Sequence, residues 1–238
     1  MDKATKKQML KAMEKAICEK SFYEFFIKSF VIAEPSVPLS TNFHHKYLCD
    51  ILQGEAERII AGKEKDKDII INIPFRSTKS LSHWAEEYQI KKDQNLKARY
   101  ENTHLGVRRA TSVGGSVTGQ GGDIILVDDP TSPKNAASET ERDNANEWYK
   151  STLYSRLNEP TKGVRIIIMQ RVHEDDLSGY LLYNSPDKHQ HICIPAELSD
   201  DLKPKYLAEH YEDGLFWKER FSKHILDDYK SALGSYGY

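Results

Sequence analysis

Apolar positions along the chain follow first a helical period and then short unbroken runs. Over residues 4–20, Met9, Met13, Ala16 and Ile17 share one stripe, which predicts a helix. SFYEFFIKSFVIA predicts a second helix that stops before the turn region Pro35–Pro38. Asn42–Ala61 predicts a third, because Phe43, Tyr47, Leu48, Ile51, Leu52 and Ile59 keep helical spacing up to Gly62. Beyond the charged turn KEKDKD the pattern changes to IIINIP, an apolar run closed by proline, which predicts a buried strand. LKARYEN and VRRATSV flank THLG and predict a hairpin with Gly106 in its turn. IILVDDP, VRIIIMQ and HICIPAE are three further apolar runs. Between them, Ser138 with Glu141 three residues on opens a helix through Leu157. HEDDLSGYLLY begins another helix with acids in its first turn. Non-alternating strands separated by helices imply an α/β fold with a largely parallel sheet buried on both faces.

Composition narrows the class. The 238 residues are 39% hydrophobic and 29% charged, enough for one α/β domain with a small appended subdomain. A net charge of −2 excludes a protein coated in positive potential, so any nucleic-acid contact must use a local basic patch. Cys18, Cys49 and Cys193 are scattered without a C-x-x-C pair, which fits a reducing compartment. The basic N-terminus lacks a signal-peptide apolar core, and no run approaches the roughly 18 apolar residues of a membrane span. The expectation is a cytoplasmic protein, neither secreted nor bound to a membrane.

Three segments carry chemistry. In residues 69–80, IIINIPFRSTKS, a strand feeds a loop that ends in Lys-Ser ahead of a helix. Such a loop cradles phosphates with backbone N–H groups, with Lys79 on the β/γ-phosphates and the Ser80 hydroxyl on Mg²⁺. Ile73 and Thr78 stand where G-x-x-x-x-G-K-[ST] has glycine, so a solvated loop with a chance Lys-Ser accounts for the motif as well. In GGDIILVDDP, residues 121–130, an apolar strand delivers Asp128 to hold the metal and Asp129 to orient an attacking water. Asp-Asp-Pro is also good turn chemistry. In VRIIIMQRVHEDDLSGYLL, Gln170 and Arg171 leave a buried strand at the edge where the other two motifs must sit, and a polar side chain there can sense a γ-phosphate. Glu174, Asp175 and Asp176 read as an acidic first helical turn.

Together these segments resemble the ATPase domain of tailed-phage large terminases. IPFRSTKS resembles that family's phosphate loop, RRATSVGGSVTGQGGDIILVDDP its stretch entering Walker B, and MQRVHEDDLSGYLL its coupling segment. IPAEL, YEDGLFW and KSALGSYGY resemble the end of the same domain, and the likeness covers most of residues 22–238. The resemblance implies an ASCE-type P-loop NTPase core over residues 63–238 with an N-terminal helical extension over residues 1–62. It implies ATP held by Pro74, Phe75, Arg76, Ser77, Thr78, Lys79 and Ser80, and Mg²⁺ held by Ser80 and Asp128. Arg76, Asp129 and Gln170 then take catalytic roles, with Asp129 where many members have glutamate. The Phe43–His44–His45 region would lie near the adenine. The implied partners are double-stranded viral DNA, the portal protein, the small terminase subunit and further copies in a ring, in the host cytoplasm.

Two departures shape the expectation. The chain stops at Tyr238, where the family continues into an RNase H-like nuclease, so a motor fragment without cleavage activity is expected. Only 48 residues separate Ser80 from Asp128, several dozen fewer than the family has, which leaves no room for its second strand. Loss of that edge-strand region would expose Ile124–Val127 as a new edge. The rival readings are a metal-dependent nuclease using Asp128, Asp129, His173 and Glu174, and a catalytically inactive terminase fragment acting as an interaction module. His189, His191 and Cys193 alternate on one strand face, but no fourth ligand sits at suitable spacing, and ordinary strand residues explain them better. Arg108 and Arg109, and the lysines Lys3, Lys6, Lys7 and Lys11, are basic enough to meet a partner and equally well explained as solvated.

Overall fold

The computed structural model describes residues 3–33, 36, 38–74, 99–101, 106–117 and 119–233. The chain divides into two compact units, Met1–Ile60 with Thr78–Ala110 and Ala61–Ser77 with Thr111–Tyr238.

In the first unit, α1 (Lys3–Lys20), α2 (Phe22–Ala33) and α3 (Phe43–Ile60) pack in chain order. The Ser21 hydroxyl accepts the Glu24 N–H at 3.2 Å and caps α2. Gln53 of α3 fastens the break between α1 and α2. Its Oε1 accepts the Phe22 N–H at 2.8 Å, and its Nε2 donates to the Lys20 carbonyl at 3.0 Å. Phe26, Phe30, Leu48 and Cys49 are the buried apolar residues of these helices among the described side chains. Met9, Met13 and Ile17 of the predicted α1 stripe are exposed. The expected hairpin is present as an antiparallel pair, β2 (Arg99–Glu101) and β3 (Val107–Arg109). Gly106 immediately precedes β3, and the rest of the turn lies outside the described residues.

The second unit is built on β1 (Asp68–Asn72), β4 (Ile124–Asp128), β5 (Val164–Met169) and β6 (His189–Cys193). These form an all-parallel sheet in the order β4-β5-β1-β6. The protein is thus α/β with a parallel sheet flanked by helices. β1 and β5 occupy the centre and are buried nearly throughout, as their unbroken apolar sequences require. β4 departs from the expectation of burial on both faces. It is an edge of the sheet among the described residues, and Ile124 and Leu126 are 48% and 57% exposed. An edge strand has one ladder neighbour and correspondingly less cover, which agrees with the edge expected for Ile124–Val127.

Between β4 and β5 the chain forms α4 (Pro133–Ala136) and α5 (Glu139–Trp148), the latter capped by Ser138 at 3.4 Å from the Glu141 N–H as expected. The helix does not continue to Leu157. It widens into a π-helical turn, Tyr149–Leu153, where Tyr154 N–H reaches the Tyr149 carbonyl at 2.8 Å. That turn sends Tyr149 and Leu153 into the core, while Leu157 pairs with Gly122 as an isolated bridge. On this face Ile70, Val127, Ile167 and Met169 pack with Tyr149, Leu153 and, from α6 (Leu177–Asn184), Leu177 and Leu181. Each such side chain contributes about 1.5–3 kcal/mol by leaving water.

α6 begins at Leu177, and not at the acids before it. Asp176 is its cap, and the first turn contains no acid. A capping side chain needs a non-helical backbone, and Asp176 is extended at φ −65°, ψ 172°, so Glu174 and Asp175 are left outside the helix.

At the amino end of the sheet, Asp68 and Arg165 fix the register of the two central strands. Asp68 Oδ2 accepts Arg165 Nη1 at 2.7 Å, and Oδ1 accepts the Arg165 N–H at 3.0 Å and Lys65 Nζ at 2.7 Å. The Arg165 guanidinium lies 4.2 Å from the Tyr154 ring centre. β6 begins at His189, two residues before the run HICIPAE, and its last residue, Cys193, makes a reciprocal pair of backbone bonds with Lys203. Lys223 and Lys230 of α7 (Lys223–Leu233) both reach Glu197. Among the described residues, no helix is long and apolar enough to cross a membrane.

Candidate functional site

Parallel pairing puts the carboxyl ends of all four strands at one edge, where open α/β sheets bind ligands. Asn72 ends β1 in register with Met169 of β5 and Cys193 of β6, and Asp128 ends β4 in register with Ile168. The exits of the three chemistry-bearing segments are therefore neighbours: Ile73–Pro74, Gln170–Arg171 and Asp128–Asp129. Phe75, Arg76, Ser77, Thr78, Lys79 and Ser80 lie outside the described residues.

Asp128 is exposed at the end of the edge strand. Asp129 follows in the left-handed region at φ 41°. This conformation costs a non-glycine residue energy, with aspartate among those that tolerate it best. Two bonds, one from β5 and one from the residue that follows it, hold it there. Asp129 N–H donates to the Ile168 carbonyl at 3.0 Å, and its Oδ1 accepts the Gln170 N–H at 3.2 Å. The carboxylate end of an otherwise exposed residue thus rests against β5. Loss of water there raises its pKa above the usual aspartate value, the Gln170 N–H opposes the rise, and the charge of Asp128 adds to it. The side-chain amide of Gln170 has no hydrogen-bond partner among the described residues, and the residue is half-buried.

A second polar group stands beside the β1 exit. Asn72 is 3% exposed, and its Nδ2 donates to the Met169 carbonyl at 3.1 Å and to Ser178 Oγ at 3.0 Å. Its Oδ1 is thus the acceptor for His191 Nε2 at 2.8 Å, while His191 Nδ1 faces Lys203 Nζ at 3.4 Å. This assigns His191 as the neutral Nε2–H tautomer. Burial, Lys203 and Arg171 push its pKa down to about 4, in agreement. The carbonyl of Asn72 also accepts the Ile194 N–H at 2.9 Å. Asn72 thereby clamps β1 to both neighbours just before the chain enters Ile73–Pro74.

The segment leaving β5 is gathered by Asp176. One oxygen, Oδ2, accepts Arg171 Nε at 3.0 Å, Val172 N–H at 3.0 Å and His173 N–H at 3.4 Å, while Oδ1 accepts the Gly179 N–H at 2.9 Å.

Neither Asn72 nor Asp176 stood out in the sequence as more than strand and helix-turn residues. The signals present were a single polar residue inside an apolar run and an acid placed just before Leu-Ser-Gly. His189, His191 and Cys193 are strand residues with partners of their own: His189 Nδ1 meets the Ser185 carbonyl at 2.8 Å, His191 binds Asn72, and Cys193 pairs with Lys203 through the backbone. Phe43, His44 and His45 belong to the helical unit, where His45 stacks on Phe26 at 5.6 Å and lies 4.0 Å from His44. Among the described residues, no group of three or more His, Cys, Asp and Glu side chains is arranged to hold a metal ion.

No protein-family model, curated protein or solved structure matches this chain.

Proposed function

We propose that this chain is an ATP-hydrolysing motor domain of the large-terminase kind, acting on viral double-stranded DNA. The observation that carries the reading is the convergence at one sheet edge of Pro74, Gln170 and the Asp128–Asp129 pair, with Asp129 held in a left-handed backbone against Gln170. Strained residues at the carboxyl end of a parallel sheet point to function more than to stability. The strand order supports the same reading. β5 stands between β1, whose segment continues in sequence to Lys79 and Ser80, and β4, which ends in the acids, as the additional strand of an ASCE-type sheet does.

In this reading Lys79 and the loop amides of residues 74–80 bind the β- and γ-phosphates, and Arg76 offsets charge that develops on the transferring phosphoryl group. The donors for a cation fit Mg²⁺, since Asp128 is an exposed carboxylate and Ser80 supplies a hydroxyl oxygen. When bound there, the ion would supply positive charge that offsets the negative charge of the phosphates. Asp129 accepts a proton from the attacking water. Its raised pKa, caused first by loss of water, makes it a better base than an ordinary aspartate. Gln170, bonded to Asp129 through its own N–H, reports the state of the γ-phosphate to the segment that follows. A ring of such subunits, assembled with the portal protein and a small terminase subunit, would turn that report into DNA movement.

Calorimetric titration with Mg·ATP of the wild type and of Lys79→Ala tests the reading. Binding and turnover are expected in the first and loss of both in the second. A wild type without Mg²⁺-dependent ATP affinity overturns the proposal, and metal-dependent DNA cleavage without ATP would replace it with the nuclease reading.

A further inference from the structure

We infer that Asp176 is a positioning residue that sets the placement of Gln170 through the segment 170–173, an inference that rests on the ATPase reading. The residue is completely buried, at 0% exposed, and a carboxylate is a costly group to bury. Capping alone does not demand it. Ser132 and Ser138 cap α4 and α5 with a single hydroxyl each. Asp176 uses only Oδ1 for that task, on the Gly179 N–H, and its second oxygen collects three donors from Arg171, Val172 and His173. Charge-assisted bonds of this kind are the stronger ones, and they converge on the stretch immediately after Gln170.

The surroundings turn this cap into a brace. Arg171 Nη2 closes the segment on itself by donating to the His173 and Glu174 carbonyls, both at 3.1 Å. Asn146 Nδ2 of α5 donates to the Asp175 carbonyl at 3.3 Å. Gly179 lets the Glu174 carbonyl approach so closely that a Cβ would stand 1.7 Å from its oxygen. One residue after Asp176 and Leu177, Ser178 accepts from Asn72 at the exit of β1. The amino end of α6 is therefore tied to the exits of both central strands. Asp176 makes the tie on the β5 side, where Gln170 meets Asp129. Displacement of Gln170 passes through these bonds into α6, and loss of them loosens the backbone that places Gln170 beside Asp129.

Asp176→Asn tests this, because it retains the volume and the Oδ1 cap but turns an N–H₂ group toward the three donors. The expected result is a folded protein with unchanged Mg·ATP affinity and KM, and a kcat lower by on the order of 10²-fold, the scale of a small misplacement of a reacting group. In a Gln170→Ala background the same substitution should lower kcat no further, since both then act through one group. Amide hydrogen exchange adds a readout apart from turnover: Val172 and His173 lose protection while β1 and β5 keep theirs. If Asp176→Asn does not fold, Arg171→Gln cuts one of the same bonds from the exposed side and should give a smaller kcat loss with unchanged KM. A wild type that neither binds nor hydrolyses ATP overturns the ATPase reading and this inference with it. An active wild type whose Asp176→Asn variant keeps its kcat, or whose losses add to those of Gln170→Ala, overturns this inference alone.

Discussion

The Asp129 carboxylate accepts the backbone N–H of Gln170 at 3.2 Å, across the gap between an edge strand and its neighbour. Two residues that are 41 positions apart in the chain are thereby joined, one through its side chain and the other through its backbone. Asp129 sits in a backbone region that favours glycine, at φ 41°.

Stability and turnover should therefore separate at Asp129. Asp129→Asn keeps an acceptor for the Gln170 N–H, suits the left-handed region and removes a poorly hydrated charge, so its melting temperature should equal or exceed that of the wild type. With Asp129 as the proposed general base, ATP turnover should fall about 10²–10⁴-fold. Asp129→Ala should be less stable than Asp129→Gly by roughly 1–2 kcal/mol, the penalty for a Cβ in that conformation. Urea denaturation beside a phosphate-release assay measures both.

His191 gives the fold a defined pH dependence. Its pKa is lowered from 6.5 to about 4 by burial first, then by Lys203 and Arg171. Between those values the unfolded chain holds a proton that the folded one does not, so stability falls as pH drops from 6.5 toward 4. His191→Gln can still donate to Asn72 Oδ1 and does not titrate. Its urea midpoint should change less across that interval than the wild type's.

The Asp68–Arg165 pair should be costly to break and cheaper to replace. Arg165 is 4% exposed and Asp68 5%. Asp68→Ala leaves a buried guanidinium without its counter-charge and should lose about 3–5 kcal/mol in equilibrium unfolding. The double variant Asp68→Leu/Arg165→Met should be the more stable of the two, because it leaves no buried guanidinium, and only the partly exposed Lys65 ammonium loses a partner.

Two helical glycines should respond in opposite directions to alanine. At Gly54 of α3 an added Cβ would meet nothing within 4 Å, so Gly54→Ala should stabilise by about 0.5–1 kcal/mol. Gly179→Ala forces a Cβ onto the Glu174 carbonyl, and the overpacking should cost roughly 1–3 kcal/mol in spite of the same propensity gain. Thermal melts of the two variants against the wild type decide this.

The strands were legible because burial on two faces leaves a plain trace: Ile69–Ile71 and Ile166–Ile168 have no alternation to confuse with anything else. Ser138 was legible as a cap because its partner, the Glu141 N–H, is three residues away. The left-handed turn at Asp129 was not, since it is held by Ile168 and Gln170, which local sequence does not contain. Asn72 reads as one letter in an apolar run until His191 arrives 119 residues later. Among Glu174, Asp175 and Asp176, three consecutive acids look alike. Only packing against Gly179 and the β5 exit decides that the third is the cap.

The parallel order of the sheet has a consequence for how the molecule comes into being. Asn72 of β1 meets Met169 of β5 at a separation of 97 residues and His191 of β6 at 119. At roughly 5–20 residues per second of synthesis, the central strand waits on the order of 5–25 s with both of its ladders open. Its isoleucines are then the part of the chain most in need of shelter. Contacts of such long sequence separation also place this unit among the slow folders.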